Sequence, residues 1–156
     1  MTYPSCCTDS IPDTLPDNPQ KPIVYVSAAL IIRGEEEILI QQRPEGTIWA
    51  GMWELPGGKM ETGETAESCL CRELHEEIDI MTSPTCLLPF SFATYDYTSE
   101  GGKYAIINVF ALRQWQGTPK EMEGQTLKWV KPVDLYDYPL IAADIPLIPK
   151  IIEYLK

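Results

Sequence analysis

Residues 57–80, GGKMETGETAESCLCRELHEEIDI, constrain this chain more than any other stretch. From Ala66 onward apolar residues fall at Ala66, Leu70, Leu74 and Ile78, a spacing of four that draws one helical stripe. Glu73, Glu76 and Glu77 stand beside it at i, i+3 and i+4, so their carboxylates share a face. Like charges so placed cost an isolated helix roughly 0.2–0.5 kcal/mol per pair. A helix that keeps them together is either simply solvated there or holds something positive. Arg72 lies next to the cluster, and Gly57 and Gly58 precede it in a segment able to bring backbone N–H groups close to a ligand. Hard carboxylate oxygens suit Mg²⁺ or Mn²⁺, which bind through a few carboxylates plus substrate phosphates.

The rest of the chain narrows the setting. Its 156 residues make one domain, and 44% hydrophobic content supplies a single core. A net charge of −11 argues against a nucleic acid polymer as partner, because affinity for a phosphate backbone comes mainly from Lys and Arg. An acidic protein that binds phosphate groups needs divalent cations to bring them in. The five cysteines lack a Cys-x-x-Cys pair, so free thiols in a reducing compartment are expected instead of zinc or disulfides. No apolar run reaches the ~18 residues of a membrane span. Residues 1–22 read as neither secretory nor transit signal, so a cytoplasmic protein without membrane partners, monomer or homodimer, is expected.

Five prolines in residues 1–22 predict an extended, mobile arm, followed by a domain over 23–156. Strands are expected at 23–33 and 37–43, joined by a turn at Gly34, and a short one around Trp53 to Leu55. Trp49 and Trp53 read as packing residues, with one of them able to border a ligand. Thr62 is the expected N-cap of the helix. Two further strands, 86–97 and 104–115, flank a turn at Glu100-Gly101-Gly102, with Lys103 just beyond it. Another strand follows at 126–130, and a closing helix at 146–155 turns Leu147, Ile148, Ile151, Ile152 and Leu155 inward. Strands around one strong helix with a second at the end predict an α/β domain, a mixed sheet between helices.

The order Gly58, five residues, Glu64, seven residues, then Arg72-Glu73-Leu74-His75-Glu76-Glu77 resembles the Nudix box of nucleoside-diphosphate-linked hydrolases. Asp79 departs from it, standing where the box has Gly. Since Asp tolerates a left-handed helix end better than most residues, an altered terminus with intact chemistry is expected. The resemblance implies an αβα sandwich and Mg²⁺ (or Mn²⁺) held by Glu73, Glu76 and Glu77. Glu73 or a nearby Glu would handle the attacking water. Arg72 would orient a carboxylate and Gly58 would contribute backbone. Glu64 would support the helix start or an outer metal site. Arg43 would face the substrate phosphates, although by itself it is equally an exposed strand-end charge. Gly57 and Lys103 complete the expected substrate contacts. His75, the sole histidine, projects away from the Glu face.

Three further stretches, Trp115-Gln116-Gly117, Glu123-Gly124-Gln125 and Ala143-Asp144-Ile145-Pro146, make the chain similar to the MutT-type branch, which clears oxidised purine nucleoside triphosphates. There the Glu of the Glu-Gly-Gln stretch is a further metal-site carboxylate, which transfers to Glu123. Asp144 stands where bacterial relatives carry an Asn that reads the base. An amide donates to O6 of 8-oxoguanine and accepts from N7–H; an ionised Asp can only accept, and a protonated one restores the pair. The implied activity is conversion of 8-oxo-dGTP to the monophosphate and pyrophosphate. The alternatives are the same chemistry on CTP, dCTP or 5-methyl-dCTP, and a non-catalytic nucleotide sensor.

Overall fold

The structure, a computed structural model, describes residues 21–97 and 102–156. The expected arm lies outside these residues except for Lys21 and Pro22, as do Glu100 and Gly101 of the expected turn. In chain order the elements are β1 (Ile23–Arg33), β2 (Glu37–Gln42), β3 (Trp53–Glu54), β4 (Gly57–Lys59), α1 (Ala66–Ile78), β5 (Leu87–Tyr97), β6 (Lys103–Leu112), β7 (Thr126–Val130) and α2 (Ile148–Tyr154). Short 3-10 turns occupy Pro84–Cys86, Pro132–Asp137 and Ile145–Leu147.

β1 is the axis. Its β-branched run is buried without a break from Ser27 to Ile32. It pairs in parallel with β6, from Ile23 opposite Tyr104 to Ile31 opposite Leu112. Its other edge forks, meeting β4 at Val26 to Ala28 and β2 at Ile32 and Arg33, both antiparallel. β5 extends the sheet beyond β6, and β2 carries β3 and β7. The sheet is therefore mixed, as expected.

Alternation along β1 builds the two faces. Ala29 and Ile31 join Leu39 and Phe110 against Leu70, Leu74 and Ile78 of α1. Ala28, Leu30 and Ile32 join Ile38, Ile40 and Val109 against Leu147, Ile148 and Ile151. Each of the three α1 residues is 0% exposed, a burial that stabilises by about 2 kcal/mol per side chain. The sheet thus lies between α1 and α2.

Local chemistry moved several boundaries. The cap of α1 is Thr65, not Thr62: its Oγ1 accepts from Ser68 N–H at 3.1 Å, and Ser68 Oγ accepts from Thr65 N–H at 2.9 Å. Thr62 belongs to the preceding turn, where Gly63 takes φ 89° and Glu64 N–H reaches Glu61 O at 3.1 Å. At the other end Asp79 is left-handed, φ 56° and ψ 35°, as its sequence position suggested. Gly57 and Gly58 form β4; a Cβ on Gly57 would fall on the Ser27 carbonyl, so its absence permits the pairing. The closing helix begins two residues late, because Pro146 sits in a 3-10 turn and Pro149 takes the first turn of α2.

The two threonines separate cleanly in a test. Thr65→Ala should destabilise by about 1 kcal/mol in urea unfolding, and Thr62→Ala by no more than a few tenths; equal effects would reject Thr65 as the cap.

Candidate active site

Arg72, inside α1, gathers the surrounding acids. Its Nε and Nη2 donate to the two oxygens of Glu64 at 2.6 and 2.9 Å, a fork-to-fork pair. Nη1 donates to Glu73 Oε1 at 2.8 Å and Glu76 Oε2 at 3.2 Å, and Nη2 also reaches Lys59 O at 3.2 Å. The guanidinium, with Glu61 N–H, holds the Glu64 carboxyl down to about 2. Gly58 lies directly under Glu73, whose carboxylate fills the space a Cβ would need. Glu76 keeps its side chain 53% exposed, and His75 is exposed as expected.

Glu77 faces the other way, into the protein. Its Oε2 accepts from Gln41 Nε2 at 3.1 Å and from Gly57 N–H at 3.3 Å. Burial, with repulsion from Glu54 and Glu73, pushes its carboxyl up to about 8. Burial also raises Glu73, opposed by Arg72 and reinforced by Glu76 and Glu123.

Gln41 continues the chain of contacts to Glu54 Oε1 at 3.4 Å, and Arg43 Nη1 grips both Glu54 oxygens at 2.9 Å. Arg43 Nε also donates to Ile48 O at 2.7 Å. Arg43 is therefore neither a free strand-end charge nor aimed solely outward: it is braced on Glu54. Gln41 and Glu54 escaped the sequence reading because a Gln ending an apolar strand and a Glu beside a Trp carry no spacing signal.

Glu123 reaches the acidic cluster through its loop. Buried Gln125 donates from Nε2 to Glu77 O at 2.6 Å and accepts Glu123 N–H at 2.8 Å. Met122 and Lys120 N–H cap Glu77 O and Ile78 O at 3.2 and 2.9 Å. Lys120 Nζ pairs with Asp79 Oδ2 at 3.0 Å. The carbonyls left open at the end of α1 thus hold the loop that carries Glu123.

Beside β4 opens a cavity of about 360 Å³. Val26, Ala28, Ala105 and Ile107 form its floor, on the sheet face that α2 leaves uncovered, and Gly57, Gly58, Arg43, Glu54, Lys103 and Asp144 border it. Trp53 N–H to Pro139 O and Ile141 N–H to Trp53 O, both 2.9 Å, stitch segment 139–141 to β3 and bring Asp144 alongside. Asp144 Oδ2 accepts Leu55 N–H at 2.8 Å, and burial pushes its carboxyl up to about 7.

The NUDIX domain model matches residues 27–150. The chain belongs to this family. Its similarity to CTP pyrophosphohydrolase of Escherichia coli K12 is 33% identity over 126 residues, 81% of this chain and 89% of that protein. To 8-oxo-dGTP diphosphatase of the same strain it is 34% identical over 122 residues, 78% and 91% of the two chains. The structure of MutT from Aliivibrio salmonicida and Vibrio cholerae superposes with a TM-score of 0.70 at 32% identity, covering 84% of this chain and 98% of that one. This Nudix chain is thus a MutT-type hydrolase, a nucleotide pyrophosphohydrolase of a family that generally uses divalent metal.

Two groups of the expected residues adjoin, one from the box segment and one drawn from several strands and loops. Gly58, Glu64, Arg72, Glu73, Glu76 and Glu77 converge at the α1–β4 contact, and Arg43, Gly57, Lys103 and Asp144 border the adjoining cavity. Among the described residues no three acidic side chains form a ready-made metal cage, since Arg72 and Gln41 engage them. The donor set still fits a hard divalent cation: oxygen-only groups, crowded and partly buried, whose mutual repulsion a cation would relieve.

Asp144 yields a pH test. Its folded carboxyl titrates near 7 against about 3.9 unfolded, so the folded state binds the proton more tightly. Its penalty is absent below pH ~4, grows to pH ~7 and is full above. Asp144→Asn should melt like wild type near pH 4 and several degrees higher at pH 8. A melting difference independent of pH would overturn the assignment.

Proposed function

We propose that this protein is a Mg²⁺-dependent nucleoside triphosphate pyrophosphohydrolase that releases a nucleoside monophosphate and pyrophosphate. It prefers bases that offer an exocyclic amine, cytosine nucleotides first. One observation carries the base preference: buried Asp144 borders the cavity and already commits Oδ2 to Leu55 N–H, which would leave one oxygen for a base. A single ionised oxygen accepts one N–H well and repels a carbonyl. An amine bound there favours the charged form further. Similarity to a CTP pyrophosphohydrolase supports the same reading.

Diphosphate hydrolysis asks the protein mainly for position and charge. Glu73, Glu76, Glu77 and Glu123, with the Gly58 backbone, would hold the cation, which neutralises phosphate oxygens and acidifies a bound water. Arg72 fixes Glu73 by Oε1, leaving Oε2 to take a water proton. Gln41 and Gly57 hold Glu77 in orientation. Lys103 and Arg43 border the cavity as cations for the triphosphate. The apolar floor excludes water from the base. The task fits a cytoplasmic enzyme acting on the free nucleotide pool.

A second reading, 8-oxo-dGTP, is favoured by the raised carboxyl of Asp144. Protonated, it donates as well as accepts and can pair with O6 and N7–H together. Similarity to an 8-oxo-dGTP diphosphatase points the same way.

Turnover of CTP, dCTP, 5-methyl-dCTP, dGTP and 8-oxo-dGTP at pH 6 and 8.5 decides between them. The first reading expects a cytosine nucleotide to lead, by more at pH 8.5, and Asp144→Asn to shift kcat/KM toward 8-oxo-dGTP by roughly tenfold or more. An unchanged ranking in the variant would remove Asp144 from the base pocket. Glu73→Gln should lower kcat by about 10²–10⁴ without changing the melting temperature greatly. Chelation should abolish turnover and Mg²⁺ restore it; activity that survives both would reject the mechanism.

A further inference from the structure

Loop 44–52 holds a residue in a conformation that its side chain disfavours. Trp49 has φ 59°, in the left-handed region that bulky residues rarely enter. Gly46 and Gly51 in the same loop take φ 83° and 82°, the residue type that accepts such angles without strain. Yet the third position is a tryptophan. Met52 N–H to Trp49 O at 3.0 Å and Gly51 N–H to Arg43 O at 2.9 Å hold the backbone in place.

Core packing does not account for the indole, because Trp49 belongs to neither hydrophobic cluster of the described residues. The ring instead lines the cavity. There it stacks on Tyr97, from the far end of β5, with ring centroids 5.1 Å apart and planes 25° apart. Arg43, braced on Glu54, lies 5.7 Å from the indole centre. Both aromatic rings line the cavity that Asp144 borders.

We propose that Trp49 is the platform on which the nucleobase stacks, and that its contact with Tyr97 parts to admit the base. The base takes the indole face now stacked on Tyr97, and because two rings 5.1 Å apart leave no room for a third between them, the indole leaves Tyr97 to receive it. Strain stored in the loop fits such a moving part, since an over-determined outlier at a site points to function. Every base has a π-face, so stacking serves all of them alike. Trp49 then sets affinity for nucleotides in general, and Asp144 sets which base is preferred. The inference rests on reading the cavity as the nucleotide site.

Trp49→Gly tests it, because glycine relieves the backbone and removes the ring; Trp49→Phe keeps a ring. Calorimetric binding of CMP and 8-oxo-dGMP is compared with ribose 5-phosphate, which has no base. In the glycine variant both nucleotides should bind roughly 5- to 150-fold more weakly, the loss of one stacked base. Ribose 5-phosphate should bind unchanged, and the melting temperature should hold or rise. With CTP, KM should rise while kcat stays within about threefold, and Trp49→Phe should recover most of the affinity. Unchanged nucleotide binding in the glycine variant would overturn the proposal. So would an equal loss for ribose 5-phosphate, or a wild type that binds no nucleotide. Base-dependent binding through Trp49 without pyrophosphate release would sink the proposed reaction and leave the stacking role standing. Hydrolysis insensitive to Trp49 would do the reverse.

Discussion

The guanidinium of Arg72 is the interaction on which the acidic site depends. Four carboxylates, those of Glu64, Glu73, Glu76 and Glu77, come from residues close together in sequence at one end of the sheet. Without a fixed cation among them, repulsion would spread the side chains into solvent. Arg72 spends its donors on Glu64, Glu73, Glu76 and the Lys59 carbonyl, fixing the start of α1, its acidic face and β4 to one planar group. Lysine could not do this, because a point charge lacks the rigid fork that addresses several oxygens in set directions. Glu77 escapes that grip and is held from the opposite side by an amide, which orients it without neutralising it.

The cavity has a different origin, in side-chain size. Along the exposed half of the sheet face the floor residues include Ala28 and Ala105, and the cover of α2 stops short. Small residues on a twisted sheet leave volume that larger ones would fill. Glycines in β4 let the neighbouring strand approach closely enough to form one wall. The acidic cluster and the apolar cavity then meet at Gly57 and Gly58, which touch both. A polar, acidic surface and an apolar one are thereby placed side by side.

Sequence pattern revealed α1, the central strands and the acidic cluster, because periodicity and fixed spacing report short-range geometry directly. The C-terminal end of α1 carried a signal in Asp79, whose tolerance of the left-handed region matches its φ of 56°, although the terminus is the ordinary left-handed one and not an altered one. Thr62 is the expected cap, and the turn at Gly63 hands that role to Thr65 instead. What the sequence withheld was long-range. That Gln41 bridges Glu54 to Glu77, or that Leu55 N–H meets Asp144 across 89 positions, depends on which strands become neighbours. The same applies to Arg43, whose partner Glu54 arrives only when β2 and β3 pair. Trp49 read as a packing residue or a ligand's border, since composition does not disclose its left-handed backbone.

The docking of segment 116–125 gives that loop an unusual status. Surface connections commonly vary in length with little effect. Here Lys120 reaches the Ile78 carbonyl, and Met122 and Gln125 both reach that of Glu77, at the end of one helix. Adding or deleting a single residue between Lys120 and Gln125 would put Glu123 out of phase with the other carboxylates while leaving the core untouched. The loop behaves as a length gauge, so this family member should tolerate substitutions there far better than insertions.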